Sequence, residues 1–346
     1  MSTHSLPTGR VGVGSVFRLA WPVMIGMLSY NLMNLADTLF VGWLGTVQLA
    51  AVGLAVTLSF FVLTPARGML VGIKVITSQR TGAGEHEQAK SVLWQGVWLS
   101  LVLSLFVLAL VPAGSQLFWL LGASPEVGAE ASAYFLPRVL GAPLLCVLWS
   151  LEGWFQGRGD TRTPMVATLV LNAINIALDP LLIFGLGPFP EMGTAGAAWA
   201  TNIAATVSLG FLLFRARHVL WSRLWKPSML LIREISKIGL PLSVQWTLDF
   251  SGFLVFMSLL AQSGDAELAA HVLVFRVVQV SMLPGYSLAD AAGVLVGQAF
   301  GARRPKAARQ AWWSGLILAA TAMTALGMTF VLIPQWLLMP FQPSPE

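Results

Sequence analysis

Apolar residues in this chain run in long blocks instead of alternating with polar ones, and the blocks recur along its whole length. Each holds about 20 residues or more, enough for an α-helix to cross a hydrocarbon core of about 30 Å. A surface helix of a soluble protein would carry a polar stripe, and these blocks carry almost none. The pattern predicts nine spanning helices, at about 16–43, 49–79, 92–112, 133–155, 164–185, 193–215, 238–262, 268–299 and 312–338. Polar, glycine-rich segments separate them, such as Gly82-Ala83-Gly84-Glu85, Gln156-Gly157-Arg158-Gly159-Asp160 and Gly301-Ala302-Arg303-Arg304-Pro305.

Composition sharpens this reading. Charged residues are 10% of the 346 positions, against about a quarter in soluble proteins, and the mean hydropathy is +0.75. A net charge of +5 would fit a nucleic-acid partner, but the placement of the basic residues gives another meaning. Arg10, Arg18, Arg80, Lys90, Arg158, Arg162, Arg215, Arg217, Arg223, Lys226, Arg233, Lys237, Arg303, Arg304, Lys306 and Arg309 all fall on one set of loops and helix ends. The alternate loops carry Glu126, Glu130, Glu191, Asp265 and Glu267. Positive charge stays on the cytoplasmic side, so the N-terminus is expected in the cytoplasm and no nucleic-acid partner is expected. Trp43, Trp119 and Trp336 fall near outer ends and Trp94, Trp221, Trp225, Trp312 and Trp313 near inner ends, as aromatic belts do. The single cysteine, Cys146, reads as packing, and the four histidines are scattered.

The blocks also repeat. A shift of 219 carries Pro22 to Pro241, Gly45 to Gly264, Leu49-Ala50-Ala51 to Leu268-Ala269-Ala270 and Pro65 to Pro284. The same shift carries Gln79 to Gln298, Gly82-Ala83 to Gly301-Ala302 and Trp94 to Trp313 without a gap. Six spans precede the second copy, so both copies start from the same side and are related by an axis along the membrane normal, a repeat type of transporters. The expected architecture is all-α and polytopic, with two pseudo-symmetric lobes: 1–218, a basic aromatic linker at 219–236 on the cytoplasmic face, and 237–346. Ser124-Pro125-Glu126 follows the third span of the first copy and Ser344-Pro345-Glu346 closes the second. Twelve helices are implied and nine are present, as expected of a truncated or split version of a longer protein.

A charged side chain at mid-membrane costs ~3 kcal/mol on insertion scales, which makes each one a functional question. Tyr30, Asn34 and Asp37 share one face of the first span, and Asn172, Asn175 and Asp179 form a stripe on the fifth. Pro180 leaves a backbone carbonyl one turn back without its donor. Two carboxylates, an amide and a free carbonyl are ligands for a small cation or a proton site, or else they are interhelical glue. Asp249 lies one turn beyond Gln245 in the seventh span, with Arg276 at a similar depth as a possible ion-pair partner. Asp290, Arg67 and Lys74 carry no assignment from sequence, and Glu152 and Arg138 in the fourth span read either as a cavity pair or as separate snorkelling residues. No phosphate-binding loop, zinc-protease motif or nucleophile elbow occurs, so no enzyme activity and no cofactor are expected.

Trp21-Pro22, Tyr30 and Ala36-Asp37-Thr38-Leu39-Phe40-Val41-Gly42-Trp43-Leu44-Gly45, followed by Leu49-Ala50-Ala51-Val52-Gly53-Leu54, resemble the first-helix signature of the multidrug and toxic compound extrusion family. Gly157-Arg158-Gly159-Asp160-Thr161-Arg162-Thr163-Pro164 is similar to its fourth-to-fifth helix turn, and Pro284-Gly285 with Leu295-Val296-Gly297-Gln298 to its eighth-helix pattern. Asn175, Asp179 and Gly196-Ala197-Ala198-Trp199-Ala200-Thr201 resemble the DNA-damage-inducible-F branch. The resemblance implies a cation site of Asp37, Asn175, Asp179 and Thr201, with Na⁺ or H⁺ flowing inward as organic, often cationic, compounds move out. It also places Asp249 where related branches carry an acidic residue. Tyr30, Asn34, Asn172, Gln245 and Asp249 are then expected along the substrate cavity, and Pro22 as a hinge. The expected protein is a monomeric antiporter of the bacterial inner membrane. Its rivals are a flippase of a lipid-linked precursor, which needs inward-facing cations from Arg67, Lys74, Arg138 and Arg276, and a fragment that does not transport.

Overall fold

In lipid, backbone polar groups have no water to bond, so a spanning segment satisfies them within its own helix. The computed structural model follows that rule and describes residues 12–120, 122–221, 226–262, 271, 274–275 and 278–333. The first copy holds α1 (Val13–Gly42), α2 (Thr46–Gly82), α3 (His86–Leu108), a short α4 (Gly114–Leu120), α5 (Pro125–Leu140), α6 (Ala142–Gly157), α7 (Arg162–Ile183) and α8 (Gly193–Leu220). The second holds α9 (Met229–Ala261), α10 (Leu283–Gly301) and α11 (Pro305–Leu332). Counting the bent pair α5 and α6 as one, up to nine spans are long and apolar enough to cross a membrane among the described residues.

The fourth span is where structure and expectation part. It begins at Pro125 and breaks at Gly141 by 49°. Pro137 and Pro143 flank that break, and each removes a backbone donor from the helix ladder. Asn202 of α8 fills the space beside Gly141, where a Cβ would lie 2.8 Å from its Cγ. Its Nδ2 donates to the Pro137 carbonyl at 2.6 Å. The linker is also shorter than its composition implied, because α8 runs on to Leu220 and α9 starts at Met229. Gln95 of α3 clamps it: Nε2 donates to the Lys226 carbonyl at 3.1 Å, and the Ser228 N–H donates to Oε1 at 2.8 Å. The tail of the ninth span, with Trp336, lies outside the described residues.

The turn after α6 explains its own composition. Gly157 lies so close to α2 that a Cβ would sit 2.6 Å from the Lys74 carbonyl oxygen. Gly159 has φ +84°, open to glycine at little cost. Asp160 then accepts from the Thr163 N–H at 3.0 Å and from its hydroxyl at 2.7 Å, holding the start of α7.

The repeat is visible in three dimensions. The shift of 219 takes the α2 terminus, Gly82, to the α10 terminus, Gly301, and the α3 start, His86, to the α11 start, Pro305. The two copies then grip each other reciprocally. Gly82 packs on the backbone of Gln298, and Gly301 packs on the backbone of Gln79. Residue 79 corresponds to 298 and 82 to 301, so the contact is the same patch used twice, the mark of a two-fold relation. Ile235 against Gly72 and Val16 beside Ala291 repeat the arrangement further along.

Candidate cation site and family

Spacing on α1 and α7 turns two acidic residues toward each other. α1 runs unbroken through Pro22 and brings Asp37 to α7, where Asn172, Asn175 and Asp179 are all buried. The Asp37 and Asp179 carboxyl groups face each other between α1 and α7. Asn175 Nδ2 donates to Asp179 Oδ1 at 3.3 Å and toward Thr201 Oγ1 on α8 at 3.4 Å. Thr201 in turn donates to the Ala197 carbonyl at 3.0 Å. The four residues expected to hold a cation therefore come together from three helices.

The set is rich in acceptors and poor in donors. Asp37 Oδ1, Asn175 Oδ1 and Asp179 Oδ2 are buried with no protein partner. Buried polar atoms are seldom left unpaired, so their convergence marks a place that a proton or a small cation would complete. Oxygen donors suit hard cations. Among the described residues no group of three or more His, Cys, Asp or Glu gathers as a transition-metal site.

Two neighbours were not assigned from sequence. Tyr134 and Arg138 lie one turn apart on α5, and both face the acidic pair. Arg138 Nη1 is buried without a protein acceptor. The signal was their i, i+4 spacing, but the bend at Gly141 decides where that face points. Glu152 is not its partner. Glu152 instead faces Arg67 of α2 and Thr168 of α7, and the Arg67 guanidinium lies over the Trp149 ring, 5.4 Å from its centre.

The residues expected along a substrate cavity differ in exposure. Asn172 Nδ2 is tied to Ser29 Oγ at 2.6 Å, a contact between α1 and α7. Tyr30 and Asn34 are exposed on α1, and Gln245 and Asp249 on α9. Arg276 lies outside the described residues, so the Asp249–Arg276 pairing falls there too.

A family model described as MatE matches residues 22–181 and 241–346. The two matched segments begin at Pro22 and Pro241, which are repeat equivalents. The chain belongs to the MatE family. It is 28% identical to a probable multidrug resistance protein NorM of Thermotoga maritima over 336 residues, 96% of this chain and 72% of that one. It is 29% identical to a FAD transporter of Shewanella oneidensis, over 99% of this chain and 76% of the relative. Among solved structures it matches a MOP superfamily transporter from Pyrococcus furiosus with a TM-score of 0.87 at 28% identity, covering 97% of this chain and 76% of that one. A MATE crystal structure in a bent conformation matches at 0.86 and 28%, with 94% and 74% covered. This MatE chain is thus a multi-pass membrane transporter and not an enzyme.

Proposed function

We propose that this MatE protein is a secondary antiporter that couples inward movement of Na⁺ or H⁺ to export of organic, often cationic, compounds. The observation that carries the reading is the cluster of unpartnered oxygens around Asp37 and Asp179. Two carboxylates that face each other repel in a low-dielectric interior unless a positive charge lies between them. A proton, a sodium ion or a cationic passenger each supplies one, and only one of these fits at a time. Competition for one negative site is the simplest way to make two fluxes exclusive. Asn175 and Thr201 orient the site, and Pro22, whose missing N–H leaves the Arg18 carbonyl without a helix donor, lets α1 bend as the passenger changes.

The multidrug and FAD-transporter names of the relatives bracket the substrate as a small organic compound. The basic ends of α2, α8 and α11 support a cytoplasmic N-terminus in a bacterial inner membrane, with the chain acting as a monomer. Three of the four cations that the flippase rival needs have other neighbours: Arg67 faces Glu152, Lys74 is paired with Asp290, and Arg138 faces Asp37.

The test is transport in proteoliposomes. With an inward Na⁺ or H⁺ gradient, Asp37→Asn and Asp179→Asn are expected to lower gradient-driven efflux of tetraphenylphosphonium at least tenfold while the protein stays folded. Efflux at the wild-type rate in either variant would overturn the mechanism.

A further inference from the structure

Alternating access, on which the proposed function rests, needs something that holds one side of the membrane shut. The cytoplasmic half is tightly closed. Gly82 and Gly301 interlock with the opposite copy, and Ser78 is 1% exposed beneath Gly297. Among the described residues one ion pair crosses between the copies within the spanning depth: Lys74 Nζ on α2 donates to Asp290 Oδ1 on α10 at 2.7 Å. At 1.5 Å per residue, Lys74 lies about 12 Å and Asp290 about 16 Å from the cytoplasmic ends of their helices.

This pair differs from the other cross-copy contacts. The glycine interlock obeys the repeat, but the ion pair does not. The equivalent of Lys74 is Gly293 and that of Asp290 is Val71, so no second pair is generated by symmetry. The Arg80–Glu234 pair at 2.9 Å also joins the copies, but it sits at the helix end, where salt screens it. The Lys74 side chain is 16% exposed and that of Asp290 38%, so separating the pair leaves the more buried Lys74 charge at spanning depth without its counter-ion, which is costly.

We infer that Lys74 and Asp290 form the latch that positions the two copies in the cytoplasm-closed state. Opening toward the cytoplasm separates α2 from α10 and breaks the pair. Its strength then sets how often the protein opens inward, without either residue touching the passenger. A single ion pair is suited to this role because it is made or lost as a unit, whereas an apolar seam loosens gradually.

The experiment uses spin labels at Glu87 and Lys306, exposed repeat equivalents at the cytoplasmic ends of α3 and α11, on otherwise intact protein in lipid nanodiscs. Pulsed dipolar distances are expected to show one dominant short separation in the wild type. Asp290→Asn and Lys74→Met should each raise the population of a longer separation at least tenfold. Lys74→Arg, and the exchanged pair Lys74→Asp with Asp290→Lys, should return it to the wild-type level. Rescue by the exchange distinguishes a latch from general damage and keeps the test informative if one single variant fails to fold. Single variants with wild-type distances, or an exchanged pair as open as the singles, overturns the latch. If the wild type and every variant keep one distance at all sodium concentrations and pH values, alternating access fails as well. A second wild-type distance that ignores the pair overturns the latch alone.

Discussion

Asn172 and Asn175 are neighbours on one helix, yet their chemistry differs. Asn172 spends its amide on Ser29 and holds α1 against α7. Asn175 spends its amide on Asp179 and Thr201 within the acidic cluster; the side-chain oxygens of both asparagines are buried without a protein partner, so the difference lies in what each amide holds. Asn175→Ala is therefore expected to weaken coupling-ion affinity about tenfold, equal to ~1.4 kcal/mol, as read by ion-dependent quenching of tryptophan fluorescence. Asn172→Ala should leave that affinity within about twofold and lower thermal stability instead. Both asparagines, with Asp37 and Asp179, were legible in sequence because helical periodicity alone puts them on shared faces. Arg138 was not, since its approach to Asp37 depends on the direction α5 takes before the Gly141 break. The same holds for Lys74 and Asp290, which lie 216 positions apart and do not obey the repeat.

At the scale of elements, glycine decides how near two helices come. Gly82 and Gly301 each face backbone of the opposite copy, where any Cβ requires a shift. Gly82→Val and Gly301→Val should each lower stability by about 1–3 kcal/mol through overpacking, and by similar amounts, because the two sites are related by symmetry. Thermal unfolding in detergent reads both. A large loss in one with none in the other would contradict the reciprocal contact. Trp154 is a second such fixture: its Nε1 donates to the Ala89 carbonyl at 2.7 Å and ties α6 to the start of α3. Trp154→Phe leaves that carbonyl buried without its side-chain donor, with an expected cost of ~1–3 kcal/mol. The helices themselves were legible from their apolar runs. The break in the fourth span was not, because Pro137 and Gly141 are compatible with a straight or a bent helix until Asn202 packs beside them.

For the whole molecule, topology is the property most open to direct measurement. With Cys146 replaced by Ala, single cysteines at Glu87 and at Glu191 should react with a membrane-impermeant maleimide from opposite sides. Glu87 is expected to label in inverted vesicles and Glu191 in intact spheroplasts. The reverse pattern would invert the positive-inside assignment and with it the direction of transport. The amino-acid order by itself determined the number and approximate places of the spans and the repeat of 219. Those are local properties, set by how each segment satisfies its backbone in lipid. Tertiary structure decided which polar side chains meet, how α5 and α6 bend apart, and which charges bridge the two copies. Such contacts depend on the relative placement of helices far apart in sequence, and no period within one segment records it.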